Sequence, residues 1–310
     1  METLREIRRR IRSVQNLAQM TRAMEAVSAS KVQKAQAAVL ATRPYAHRAW
    51  EVIVNLSGVR GILLHSLLTV REPVRSVLLV VFTSDRGLCG AYNHNVVRAA
   101  TDYARRLGVP VRYVAVGKRG RNILWRLRAP LVAEFHGLPA VPRFADITTI
   151  ARLAMEEFLS GRSDEVFLVY TDFINLLRQR PVVKRLLPLR PTRLEEQAVS
   201  EYVVDMRPAG VADYLYEPSP EALLNVILPR FTELQVYQAA LEAAASEHAA
   251  RRAAMRNATD NAEELIRDLT IIRNKARQHA ITKELLDIAG GAEALRQLQE
   301  MQENVVYIER

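Results

Sequence analysis

The segment Thr83-Ser84-Asp85-Arg86-Gly87-Leu88-Cys89-Gly90 holds the side chains best suited to chemistry: two hydroxyls, a carboxylate, a guanidinium and the only thiol of the chain. It sits between an apolar run, Val77 to Phe82, and a helix-like stretch, Asn93 to Leu107, the position at which strand-turn-helix folds hold phosphates or nucleophiles. It has neither the three-glycine spacing of a dinucleotide loop nor the lysine and hydroxyl of a phosphate loop. A tight strand-to-helix turn is therefore expected. Cys89 with His94 as base would make a thiolate nucleophile near a helix start. No third group orients the histidine, so a packed thiol is expected instead. The six histidines, at 47, 65, 94, 136, 248 and 279, fall on different elements, and none pairs with another His or Cys at ligand spacing. Neither a metal nor a cofactor is expected.

Arg5, Arg8, Arg9, Arg10 and Arg12 form the densest charge run. Glu2 and Glu6, with apolar residues running on without a break, argue against a transit peptide. The run also lacks the interleaved Asn and Ser base readers of a groove-binding helix. What remains is a helical stripe facing water or an acidic partner. The whole chain has 44 basic and 34 acidic residues for a net charge of +10. All but six of the basic residues are arginines, which fork onto carboxylates or phosphates at any working pH.

The elements that must carry these groups follow from periodicity. Leu4, Ile7, Ile11, Val14 and Leu17, then Met24, Val27, Val32, Ala35 and Val39, recur at spacings of three and four, predicting a helix over residues 1–58 that bends at most at Pro44. A second helix is predicted over 218–289, from the Pro218-Ser219-Pro220-Glu221 start signal to a stop at Gly290-Gly291, with Pro229 as an early breaker and 290–310 as an extension. As helices these would span roughly 80 Å and roughly 105 Å, wider than a compact domain of 310 residues. Two such seams at opposite ends of one chain pair most economically as a coiled coil. Periodicity leaves the polarity open, while a compact insert favours antiparallel. Residues 1–58 carry +6 and residues 220–310 carry −3, an asymmetry suited to pairing.

The middle, residues 72–191, alternates strand and helix patterns: strands at Ser76 to Phe82, Val111 to Val116 and Glu165 to Phe173, helices at Asn93 to Leu107, Arg119 to Arg128 and Phe144 to Leu159. Such alternation predicts a small parallel α/β domain, with Leu176 to Pro191 as an edge strand because of Pro181. Residues 192–217 read as a loop. One cysteine gives no intramolecular disulfide and no sign of an oxidising compartment, and no apolar run approaches the roughly 20 residues of a membrane helix.

The residues of Ile7 to Asn16, Thr21-Arg22-Ala23-Met24-Glu25, Ser30-Lys31 and Arg43-Pro44-Tyr45-Ala46 resemble the opening helix of the gamma subunit of F-type ATP synthases. Ser84 to Gly90 is similar to that family's signature turn. Asp213 to Pro218, Ala258 to Ala262, Asn274 to Gln278 and Ile281 to Leu285 continue the likeness in order over roughly 280 residues. The resemblance implies an antiparallel coiled coil of the terminal helices with a Rossmann-like α/β domain inserted between them. It implies a non-catalytic rotor that couples ion flow to nucleotide sites on other subunits, on the cytoplasmic face of the bacterial plasma membrane. The implied partners are the alpha and beta subunits, epsilon and the c ring, with no nucleic acid and no membrane contact except through that ring.

Residue by residue, the resemblance places Met24 against a beta lever loop and Arg251 at a coupling position. Arg277, Gln278, Thr282 and Glu284 would lie near the catch loops of the alpha-beta sleeve, and Tyr214 and Glu217 on the c-ring foot. The chain departs from the family by continuing some 15 residues past the stretch at Ala294, and it lacks the inserted cysteine pair of redox-regulated members. Two rival expectations are a nucleotide-binding α/β enzyme using the Gly87 to Gly90 turn, and a coiled-coil nucleic-acid binder using the Arg5 to Arg12 run. Neither needs a long second helix.

Overall fold

A computed structural model describes residues 3–57, 65–190 and 219–308 of the chain. Helix α1 spans Leu4–Ser57. A 3-10 turn at Ser66–Leu68 leads into β1 (Val77–Phe82), α2 (Tyr92–Leu107), β2 (Val111–Val116), α3 (Lys118–Arg126), β3 (Leu131–Phe135), α4 (Phe144–Leu159), β4 (Glu165–Phe173) and β5 (Gln179–Leu187). The last element is α5, Pro220–Ile308. Long terminal helices thus enclose a central α/β sheet, as expected. The 192–217 segment, with Tyr214 and Glu217, lies outside the described residues.

The strands run β3-β2-β1-β4-β5, the first four parallel and β5 antiparallel to β4. The sheet is therefore mixed rather than wholly parallel, because the short link after Phe173 closes a hairpin instead of crossing over. β1 is apolar at all six positions and buried at all six, as a central strand covered on both faces must be. Its alternate residues feed two cores. Leu78, Val80 and Phe82 pack with Ile147, Ile150, Ala154 and Phe158 of α4 and with Leu228 and Phe231 of α5. Val77, Leu79 and Val81 pack with Val96, Val97 and Ala100 of α2 and with Leu124 of α3. Each buried Val, Leu, Ile or Phe among these contributes about 1.5–3 kcal/mol.

The chain divides into two units, residues 1–23 with 256–310 and residues 24–255. In the first, Ile7 and Ile11 enclose Leu269, with Val14 and Ala276 alongside. The Thr21 hydroxyl donates to the Ala18 carbonyl at 3.1 Å and accepts from the Thr259 hydroxyl at 2.7 Å. Arg22 pairs with Glu263. Later residues of α1 meet earlier residues of α5, so the pair is antiparallel. In the second unit Gln238 donates to the Thr42 hydroxyl at 3.3 Å, Arg252 faces Glu25 at 4.0 Å, and Ile53 shares a core with Leu224 and Leu228. The order is again antiparallel.

Three expectations about the helices need correction. Gly290-Gly291 does not stop α5, which continues to Ile308. Neither glycine takes the positive φ of a helix terminator, and the residues that follow, Ala292 to Gln299, are good helix formers that offset two glycines at about 1 kcal/mol each. Pro229 does not break α5 either, whereas Pro44 lies inside α1 as the single helix expected there requires. The seam of α1 runs through Ile7, Ile11, Ala18, Thr21, Ser28, Val32, Ala35, Val39, Ala46 and Ile53, a 3.5-residue period. Leu17 and Val27, expected on that face, are 50% and 55% exposed, because the period puts the smaller Ala18 and Ser28 inside.

Candidate functional site

The turn after β1 is built from its own polar groups. Asn93, in the first turn of α2, accepts the Ser84 N–H at 2.9 Å and donates through Nδ2 to Ser84 Oγ at 2.8 Å and to Cys89 Sγ at 3.3 Å. The Ser84 hydroxyl donates to the Arg86 carbonyl at 2.6 Å. Asp85 accepts the Lys118 N–H at 2.9 Å and the Gly137 N–H at 2.7 Å, tying the turn to the ends of β2 and β3. Gly117 has φ +100°, and a Cβ there would stand 2.3 Å from the Thr83 carbonyl oxygen, so only glycine fits. Leu88 sits at φ +64°, a left-handed conformation that costs a non-glycine residue about 1–2 kcal/mol. The Asn93 and Asp85 bonds hold it there.

Onto this turn closes one stretch of α5. Arg251, 8% exposed, donates from Nε and Nη2 to the Gly87 carbonyl at 3.3 and 3.4 Å and from Nη2 to the Arg86 carbonyl at 3.5 Å. The same guanidinium binds Glu247 at 2.7 Å and His248 Nδ1 at 3.1 Å. His248 Nε2 meets the Ala140 carbonyl at 3.2 Å. Arginine offers only donors, so His248 must present a lone pair at Nδ1 and carry its hydrogen on Nε2. Burial and the neighbouring Arg251 push its pKa down to about 4. Burial raises the Glu247 carboxyl above its ordinary value, and Arg251 opposes that rise.

Further along the same helix the contacts continue onto the ends of β4 and α2. The Ser246 hydroxyl donates to the Thr171 carbonyl at 3.0 Å, Glu242 accepts the Phe173 N–H at 3.2 Å, and the Tyr92 hydroxyl donates to the Ala243 carbonyl at 3.1 Å. In this strand order the chain reverses direction between β1 and β4, and doubly wound folds hold nucleotides in the crevice outside those strand ends. Here α5 makes those contacts. A guanidinium takes the carbonyls of the β1–α2 turn where a phosphate would need free N–H groups, so the arrangement suits a mechanical joint better than a ligand site.

The thiol behaves as expected of a packed one. Cys89 is 2% exposed and burial raises its pKa, while His94 is exposed. Among the described residues no group of three or more His, Cys, Asp or Glu is placed to hold a metal.

The ATP synthase family model matches residues 3–295. The ATP synthase gamma chain of Roseiflexus castenholzii is 51% identical over 302 residues, covering 96% of this chain and 100% of that one. The chain belongs to the gamma-subunit family of F-type ATP synthases. The gamma chain of Dehalococcoides mccartyi is 46% identical over 297 residues, covering 95% of this chain and 100% of its own. Among solved structures, the Tetrahymena thermophila mitochondrial ATP synthase central stalk and c ring matches with TM-score 0.58 at 28% identity, covering 77% of this chain and 99% of that one. The Euglena gracilis mitochondrial ATP synthase in rotational state 3 shares the fold, with TM-score 0.64 at 21% identity over 94% of each chain. As a gamma subunit the chain is part of an ATP synthase. None of its described helices is long and apolar enough to cross a membrane.

The residues singled out from the family resemblance fall into separate places. Met24 is half-buried on α1, next to an exposed apolar stripe of Leu17, Met20 and Val27 beside the seam. Arg277, Gln278, Thr282 and Glu284 are all exposed on α5, in a stretch where every residue from 277 to 296 is exposed, including Ile281, Leu285 and Ile288. Arg251 stands apart, buried, with its donors spent inside its own chain. Sequence reasoning gave no role to Asn93, Glu247 or His248. Glu247 and Arg251, four apart on one helix, carried a pairing signal, but nothing local indicated which loop they would meet.

Proposed function

We propose that this chain is the rotor of its ATP synthase: rotation of the c ring enters through the inserted domain, and the asymmetric helix pair drives catalytic beta subunits through successive nucleotide affinities. The observation that carries the reading is the joint. The crevice that could have bound a ligand is closed by the chain's own α5 through Arg251, His248, Ser246 and Glu242, which fastens the α/β domain to a long helix. A sheet clamped to a helix at several polar and apolar points resists relative rotation better than one contact would.

In this reading Met24 with the Leu17-Met20-Val27 stripe, and Arg277, Gln278, Thr282 and Glu284, slide against the alpha-beta sleeve. Arg251 serves coupling from the joint. Tyr214 and Glu217 belong to the foot on the c ring beside epsilon. The chain itself carries no catalytic residue, and the assembly sits on the cytoplasmic face of the bacterial plasma membrane. Co-expression with alpha and beta subunits tests the proposal. A purified complex should hydrolyse ATP with rotation of this subunit, while the chain alone should not hydrolyse ATP. Turnover by the isolated chain, or an assembled complex that hydrolyses ATP while this subunit stays still, contradicts the proposal.

A further inference from the structure

His248 is 4% exposed and bridges three elements: its own helix, the residues after β3 through the Ala140 carbonyl, and, by way of Arg251, the β1–α2 turn. Its Nδ1 must be unprotonated, because the atom it meets at 3.1 Å is a guanidinium nitrogen that can only donate. The charged groups around it are unequal. Arg251 on α5 and Lys31 on α1 both disfavour a second positive charge. Glu247 is committed to Arg251, and Asp85 on the turn acts on Glu247. Among the described residues no carboxylate bonds directly to the imidazole to receive it as a cation.

We propose that His248 makes the joint an acid-sensitive latch: a proton taken up at Nδ1 ejects the Arg251 guanidinium and frees the Arg86 and Gly87 carbonyls, loosening the β1–α2 turn from α5. The proton comes from solvent and no other bond is made or broken. The burial and positive neighbours that hold the histidine neutral set the threshold at about pH 4. Near neutral pH the latch is shut; acidification opens it. The response of the chain follows from the joint's geometry, and only its consequence for coupling rests on the rotor reading.

The test uses the full chain alone, so it is independent of assembly. His248 is titrated by NMR with labelled histidine, the resonance assigned by its loss in His248→Gln. Amide hydrogen exchange is followed at Gly87 to Cys89 and corrected for intrinsic rates. The titration midpoint should lie near 4 and move up by about one pH unit or more in Arg251→Gln, where the adjacent cation is gone. Exchange at the turn should quicken as the pH falls through that midpoint in the wild type, and His248→Gln should lack that step. A wild-type midpoint at or above 6.5, an unmoved midpoint in Arg251→Gln, or the same acid step in His248→Gln overturns the proposal. The rotor reading would survive any of these outcomes, since it stands on assembly and coupling.

Discussion

Two stretches of α5 use similar residues for opposite ends. Between Leu224 and Arg251 the helix is spent on its own chain, its leucines and alanines in the core of the sheet and its Glu242, Ser246, His248 and Arg251 on the strand ends. Between Arg277 and Arg296 it carries Ile281, Leu285, Ile288 and Leu295 at seam-like spacing, yet all are at least half exposed. Partnering, not residue type, separates them. The first stretch is a fixture and the second is exposed, which on the proposed rotor reading suits a part that is held at one place and slides against other subunits at another.

The contrast breaks most sharply at arginine. Arg251→Leu leaves the Glu247 carboxylate and two turn carbonyls without their donor and should cost about 3–5 kcal/mol in denaturant unfolding. Arg277→Leu, at an exposed position, should stay within about 0.5 kcal/mol. Equal losses at the two sites would erase the distinction.

Acid comes next. His248 has a pKa of about 4 in the folded chain against 6.5 for the ordinary side chain. The unfolded chain therefore binds the extra proton between those values. Its share of stability is fully present above pH 6.5 and is lost as the pH falls toward 4, by at most about 3 kcal/mol. Thermal unfolding of wild type and His248→Gln across that window measures it, and parallel curves would dismiss it.

Asn93→Ala should cost about 1–3 kcal/mol, since it strips the buried Ser84 N–H of its acceptor and releases the strained Leu88 turn. Chemical denaturation gives the value, and proteolysis within Arg86 to Leu88 gives its location. The smallest expected effect on the chain alone is at Met24→Lys, half-buried beside the seam: unfolding should shift by about 0.5 kcal/mol or less. On the proposed reading, in which Met24 slides against the sleeve, the assembled enzyme should nevertheless couple less efficiently, because a charge placed in a sliding apolar contact opposes movement. Unchanged coupling would remove Met24 from the contact.

Much of the architecture was legible because the signals were local and strong. The bounds of α4 and β4 follow directly from apolar spacing, and β1 from its unbroken apolar run. β3 was not legible: Leu131 to Phe135 is a five-residue edge strand with no fully buried position, so its pattern is faint. The α1 seam was misread at Leu17 and Val27, because the larger apolar residue is not always the inner one where helices approach closely on Ala18 and Ser28. The joint was the least legible part. Ser84 to Gly90 stands out as a motif, but the groups that use its carbonyls come from a helix more than 150 residues away, and only the fold brings Arg251 to Gly87.

The central claim is that the joint carries torque between the inserted domain and the long helices. Its most direct test is the number of coupling ions pumped per ATP hydrolysed by the reconstituted complex bearing Arg251→Lys, which keeps the charge but loses the guanidinium fork. The account predicts an assembled enzyme that still hydrolyses ATP but pumps markedly fewer ions per ATP than wild type. A pumping ratio equal to wild type in an intact complex would contradict it.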